Sequence, residues 1–248
     1  MVKKATTEDG AGGGLVRRLL REAERGALST LLVAHGAPGA TALAGSRDTD
    51  ASGWPYGSLV LVASDLDGTP LLLVSDLAEH AKNLAADPRA SLLIDGTAGM
   101  KNPLAGPRAT LVGRALRTTE PRALERFLRR HPAARLYAGF RDFQLWRLEL
   151  ERAHLVAGFG RIAWIAAAEI RLAVRQWRWL RTREQPLLEG LNEPARLKRR
   201  RGWHAVGLDP EGLDLWKAGR HRRLRFTQAL ASEQAARAAL ARTPRIQP

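Results

Sequence analysis

The chain has 248 residues, 45% of them hydrophobic, no cysteine, and 40 Lys+Arg against 25 Asp+Glu, for a formal net charge of +15. That length holds one large domain or a main domain with a smaller appendage, and the missing cysteines exclude a disulfide frame, a thiolate metal site and a cysteine nucleophile. No apolar run approaches the roughly 18 residues of a membrane span and MVKKATTEDGAGGG lacks the apolar core of a secretory signal, so the expectation is a cytoplasmic protein whose residues 1–14 are a flexible leader.

Leu15 to Arg25 reads as an amphipathic helix, with Leu15, Leu19, Leu20 and Ala23 near one face, ended at Gly26. A strand, Ala27 to Ala34, follows, and His35 to Trp54, rich in Gly, Ala, Ser and Asp without periodicity, reads as a loop. Gly57 to Ala63 and Pro70 to Val74 are two nearly unbroken apolar runs around Asp65-Leu66-Asp67-Gly68, the signature of a hairpin whose strands are covered on both faces. Ser75-Asp76 opens a helix with Asp76 as N-cap and Glu79 three residues on as in a capping box, closed by Asp87-Pro88 before strand Ala90 to Ile94.

Gly96 to Gly106 is a loop and Arg108 to Arg117 a long strand. Glu120-Pro121 starts a helix through Arg130, with a short helical piece after Pro132. Asp142 to Gly160 alternates and ends in a long strand toward Val156, where Gly158 and Gly160 suggest a bulge or a close backbone approach. Beyond Trp164 the character changes. Ala166 to Arg183 is helix-prone, Lys198 to Arg201 is a basic run, His204 to Trp216 is a hairpin around Asp209-Pro210-Glu211-Gly212, Arg222 to Phe226 is a strand, and Ser232 to Arg242 a final helix. From Glu169 onward there are 18 Lys+Arg against 8 Asp+Glu, so the basic excess sits mostly in this last third. The reading is a main domain over 15–168 and a basic C-terminal α+β domain over 169–248.

Several chemistries are disfavoured. There is no P-loop, no GxGxxG after a strand and no GxSxG elbow, and the six histidines form no HxxxH or HxH pair, so no metal site is expected. The corner after Val74 is the place for a phosphate, because a helix start offers free N–H groups and Lys82 adds charge. The competing reading of Ser75 and Asp76 is helix capping, and of Lys82 a solvated helix face.

The order PYGSLVLVASDLDGTPLLLVSDLAEHAKNLAADPRASLLI, PLAGPRATLVGRA and HPAARLYAGFRDFQLWRLELERAHLVAGFGRIAWI resembles the pyridoxamine 5'-phosphate oxidase-like FMN-binding split barrel, and within it the bacterial haem-utilisation proteins of the HugZ type. The likeness covers roughly Leu15 to Ile165, and GLDPEGLDL resembles the small C-terminal domain those proteins often carry. It implies an α+β fold, a six-stranded split β-barrel with a small C-terminal α+β domain, forming a homodimer with flavin or haem at the interface. By that likeness Ser58, Ser75, His80, Lys82 and Arg108 are the candidates to contact FMN, and Trp54, Tyr56 or Trp146 to pack on its ring. Asp142, Arg161, His204 and His221 are candidates for a haem or substrate pocket. The axial histidines of haem-handling relatives, in an H-M-N-x-D-H motif, are absent from the comparable stretch Gly190 to Ala195, which leaves His204 and His221 as substitutes.

Three functions follow as expectations. The first is an FMN-dependent oxidoreductase in which the cofactor supplies the chemistry and no catalytic side chain is assigned. The second is a haem-binding or haem-utilisation protein. The third, least favoured, is a cofactor-less polyanion or nucleic-acid binder using Lys198 to Arg201 and Arg220 to Arg225, which lack interleaved aromatic residues.

Overall fold

The computed structural model describes residues 11–33, 53–158 and 160–241. Most of the expected loop from His35 to Trp54 therefore lies outside the described residues, as do residues 1–10. The first helix, α1, spans Ala11–Glu22, so Gly12 to Gly14 belong to it and not to the expected leader. Val16, Leu19 and Leu20, at helical spacing, are buried against Leu28 in the main core.

One sheet contains β1 (Arg25–Leu31), β2 (Pro55–Leu61), β3 (Ala63–Ser64), β4 (Pro70–Ser75), β5 (Arg89–Asp95), β6 (Pro107–Thr118), β7 (Phe143–Ala157) and β8 (Ile162–Ala166). Its order is β2-β1-β5-β6-β7-β4-β3, with β8 on β7. The expected hairpin is corrected here: β2 pairs with β1, and only the two-residue β3 pairs with β4. The chain turns at the fully buried Val62 and changes neighbours, which is how one apolar run serves two ends of a curled sheet. Taking β2 and β3 as one bent strand and setting β8 aside, six strands build the barrel.

Register fixes which face each residue takes. Leu28, Leu92, Leu111, Ala153 and Ile165 form one row inward, and all are buried. The next row, Leu59, Ala27, Leu93, Thr110, His154 and Trp164, faces outward across six strands. Leu59 is 73% exposed there, so β2, unlike β4, is not covered on both faces as its composition suggested. An extra residue, Glu151, bulges β7 opposite Val112 and Gly113. Gly113 is required at that point, since a Cβ would lie 2.1 Å from the Glu149 carbonyl oxygen. Gly158 and Gly160, with φ of +112° and +72°, make the β7–β8 turn, not the bulge.

Helix α2 (Glu79–Ala86) lies beside β1, where the Asn83 amide donates to Thr30 Oγ1 at 3.0 Å. Helix α3 (Pro121–Arg130) buries Ala123 and Phe127 against β3 and β4. The remaining chain forms short helices α4 (Ala167–Ile170) and α5 (Val174–Trp177), then α6 (Leu180–Asn192) and α7 (Pro194–Arg199). It ends with a three-stranded sheet, β11-β10-β9, and α8 (Glu233–Ala241). Those strands are β9 (His204–Asp209), β10 (Gly212–Lys217) and β11 (Arg220–Arg225), close to the expected hairpin and strand.

Leu66, at the tip of the β3–β4 turn, is fully buried in the apolar cluster of this C-terminal sheet, with Leu180, Leu187, Leu208 and Leu213. The turn therefore plugs into the C-terminal unit. Its backbone is held open by Gly68 at φ +92° and by flanking carboxylates. Asp65 accepts from Arg122 at 2.8 and 3.1 Å and from Arg147 at 2.6 Å. Burial alone would raise the Asp65 carboxyl, but Arg122 and Arg147 override it and bring it down to about 2.

Candidate functional site

The predicted phosphate corner forms where β4 ends, α2 begins and the residue before β7 arrives. Ser75 Oγ donates to Asp142 Oδ2 at 2.5 Å and accepts from the Leu77 N–H at 3.1 Å. Asp76 is not the N-cap of α2; that position is Ala78, and the Asp76 carboxylate instead takes a 2.7 Å bond from Arg117. The helix starts later because the Asp76 N–H is already bonded to the Asp142 carbonyl at 2.6 Å, which holds the chain in sheet pairing for another residue. Lys82 is exposed, 3.6 Å from Glu79. Arg117 also lies 5.0 Å from the ring of Trp146, a buried core residue and not an exposed stacking platform. Arg117 went unnoticed in the sequence because nothing local ties it to Asp76, 41 residues away.

This corner does not fit a phosphate within one chain. The Ser75 hydroxyl is committed to a carboxylate, and Asp76, Glu79 and Asp142 outnumber Lys82 and Arg117. What it does hold is unsatisfied polarity. His80 Nε2, Trp146 Nε1 and, inside the barrel on β2, Ser58 Oγ are buried with no hydrogen-bond partner. Burial, opposed by the charge of Glu79, lowers the His80 pKa and favours the neutral imidazole.

The other predicted residues lie elsewhere. Arg108 opens β6, nine residues before Arg117, a strand path of about 30 Å. Its Nη1 donates to the carbonyls of Leu104 and Gly106. Arg161 is in the β7–β8 turn beside it, exposed and without an acidic partner among the described residues. His221 sits at the junction of α3 and β11, its Nδ1 3.1 Å from Arg130 Nη1. Burial and then the Arg130 charge push it down to about 4. His204 is exposed on β9, 6.5 Å from the Trp216 ring. Trp54 is exposed and Tyr56 half-buried on the inward-facing side of β2, opposite Thr30.

A different surface gathers what a planar anionic cofactor needs. Register sets Arg108 beside Val156 and Ile162, Thr110 beside His154 and Trp164, and Val112 beside Arg152 and Ala166, all on the outer face. Ile162 and Trp164 are more than half exposed, the His154 ring is 4.9 Å from that of Trp164, and the Arg152 guanidinium lies 4.5 Å from the same indole. Further along the face, Ser29, Ser91 and Val112 floor an open groove of about 340 Å³ walled by Arg89 and Arg114. Sequence reading missed His154, Arg152 and Trp164, although the two-residue spacing of Arg152 and His154 marks one strand face. No group of three His, Asp or Glu side chains suited to a metal ion occurs among the described residues, and no helix there is long and apolar enough to cross a membrane.

An Agrobacterium tumefaciens protein of unknown function, Atu2129, is 27% identical in its crystal structure, covering 96% of this chain and 98% of that one at a TM-score of 0.73. The heme binding protein from Mycobacterium smegmatis is 27% identical over 93% of this chain and 95% of its own, at a TM-score of 0.55. Among curated proteins, the chloroplastic non-canonical heme oxygenase HOZ of Arabidopsis thaliana is 41% identical over 109 residues, 43% of this chain. That match spans 33% of the length of the Arabidopsis protein. The model of the family described as "CREG, beta-barrel" matches residues 13–171, well over half the chain. The chain therefore belongs to the CREG β-barrel family, in an α+β fold built on one curled barrel sheet.

Proposed function

We propose that this protein binds haem on the outer face of its barrel sheet. The observation that carries the reading is the patch of Ile162, Trp164 and His154 with Arg108 and Arg152 on adjoining strands and Arg161 in the turn before β8: an apolar surface, an imidazole and three cations. The haem-named relatives support it. Arg108, Arg152 and Arg161 would pair with propionates, Ile162 and Trp164 would cover the macrocycle, and His154 would hold the iron. The bound haem would supply the redox-active centre, and this chain's residues would orient it and shield it from water. His221 then has no part in ligation, since Arg130 already engages its Nδ1.

The same face supports a homodimer. The outward row from Leu59 to Trp164 crosses five strand spacings, about 24 Å, which is wider than one planar cofactor, and the exposed Leu59, Leu93, Ile162 and Trp164 spread along that face suit a docking surface.

The flavoprotein reading, an FMN-dependent oxidoreductase, rests on the split-barrel fold and on the orphan Ser58 hydroxyl, and the charge of the Ser75 corner opposes it. The polyanion reading loses part of its basis, because Arg200 and Arg223 are buried and bonded inside the chain. The test is haem titration of wild type, His154→Ala and the double variant Arg108→Gln/Arg161→Gln. The expected result is a Soret band that shifts in His154→Ala and weaker retention in the double variant. A band identical in all three would overturn the placement.

A further inference from the structure

A second cavity, of about 280 Å³, lies away from the barrel face, between α1 and the C-terminal sheet. Its walls include Arg18, Arg21, Glu211, Arg223, Arg225 and Phe226, four guanidinium groups and one carboxylate. The helix supplies its side through spacing alone: Gly14, Arg18 and Arg21 fall on one stripe at i, i+4 and i+7. The opposite wall is the end of β11, fixed by a 3.0 Å bond from the Phe226 N–H to the Glu211 carbonyl.

The charges around this cavity do not balance. Glu211 is taken by Arg17 at 2.8 Å and by Arg21 at 3.2 Å. Asp209 binds Arg21 and Arg223, each at 2.9 Å, and Asp214 binds Arg223 at 2.8 Å. Arg18 and Arg225 are left with no acidic partner among the described residues, and Arg18 Nε is buried without any hydrogen bond. A guanidinium N–H removed from water and unpaired, as at Arg18 Nε, is costly, and with the exposed Arg225 facing the same cavity from the strand the pair is arranged for an anion. Half-buried Phe226 adds an apolar wall, and Gly14 leaves bare backbone at the rim.

We propose that this cavity binds a small organic phosphate. Paired guanidinium forks suit the several acceptor oxygens of a phosphate group better than a single carboxylate, and a cavity of this size admits a metabolite and not a nucleic-acid strand. The ligand would bridge α1 of the barrel and β11, and would stabilise the folded chain increasingly, as the logarithm of its concentration once that exceeds Kd.

Calorimetric titration with pyrophosphate tests this in wild type, Arg18→Gln and Arg225→Gln, with potassium chloride added to match ionic strength. Loss of one charge-assisted contact, about 1.5–3 kcal/mol, predicts affinity at least about tenfold weaker in each variant, with haem titration unchanged. Arg225 is exposed, so its variant keeps the test valid if Arg18→Gln fails to fold. No saturable heat at millimolar pyrophosphate, or equal affinity in wild type and Arg225→Gln, would overturn the proposal. Citrate binding as tightly as pyrophosphate would overturn the phosphate assignment.

Discussion

Arg21 of the barrel helix α1 and Asp209 at the end of β9 meet at 2.9 Å with both side chains almost wholly removed from solvent. Asp209 also receives Arg223 at 2.9 Å and has Arg126 at 3.7 Å, so one carboxylate joins three arginines from α1, α3 and β11. Burial alone would raise its pKa, but Arg21 and Arg223 hold it far below the usual carboxylate range. Asp209→Ala leaves those cations unpaired and is expected to cost about 3–5 kcal/mol, measured by urea unfolding. A loss below 1 kcal/mol would contradict this account of the junction.

Leu66 makes the same connection with apolar surface. Fully buried among side chains of the C-terminal sheet, its replacement by alanine is expected to cost about 2–5 kcal/mol. We further propose that 15–168 and 169–248 unfold together through this plug. Calorimetry of wild type should then show one transition, and two resolved transitions would separate the units.

Acid should weaken the fold in two stages. Burial lowers His131 to about 4, against the opposing bond it donates to the Val62 carbonyl, and His221 falls to about 4 as well. Both start from 6.5, so between about 6.5 and 4 the unfolded chain binds more protons and stability falls as pH falls. Asp65, at about 2 when folded and 3.8 when free, extends the loss below pH 4. His221→Gln, which keeps an acceptor for Arg130, should flatten the slope from pH 6.5 to 4 in unfolding curves taken at several pH values. An unchanged slope would remove His221 from the explanation.

Association should depend on the outward row. Leu59→Glu and Trp164→Glu place a charge where β2 and β8 expose large apolar side chains, and are expected to convert a dimer to a monomer in sedimentation while leaving the far-ultraviolet dichroism intact. Wild type sedimenting at 27.2 kDa would rule the dimer out.

The local signals in the sequence were enough for most elements. Alternation marked β7, the Pro and Gly turn residues marked the β9–β10 hairpin, and the His80 helix stands close to its expected span. What stayed hidden depends on distant partners. Nothing near Val62 announces that the chain leaves β1 for β4 there. Leu66 in a polar turn looks exposed until a core 120 residues later receives it, and Asp76 looks like a cap until Arg117 claims it. For the site, Ser75, His80 and Lys82 carry a local signal as a strand end and a helix start, but the acidic balance of that corner depends on Asp142, which reaches Ser75 across 67 residues.

The most direct measurement is the visible spectrum of purified wild-type protein after incubation with haem in one portion and FMN in another, each then desalted. Haem bound on the barrel face leaves a retained Soret band in the first and no flavin absorption in the second. Retained flavin bands with no Soret band would contradict it.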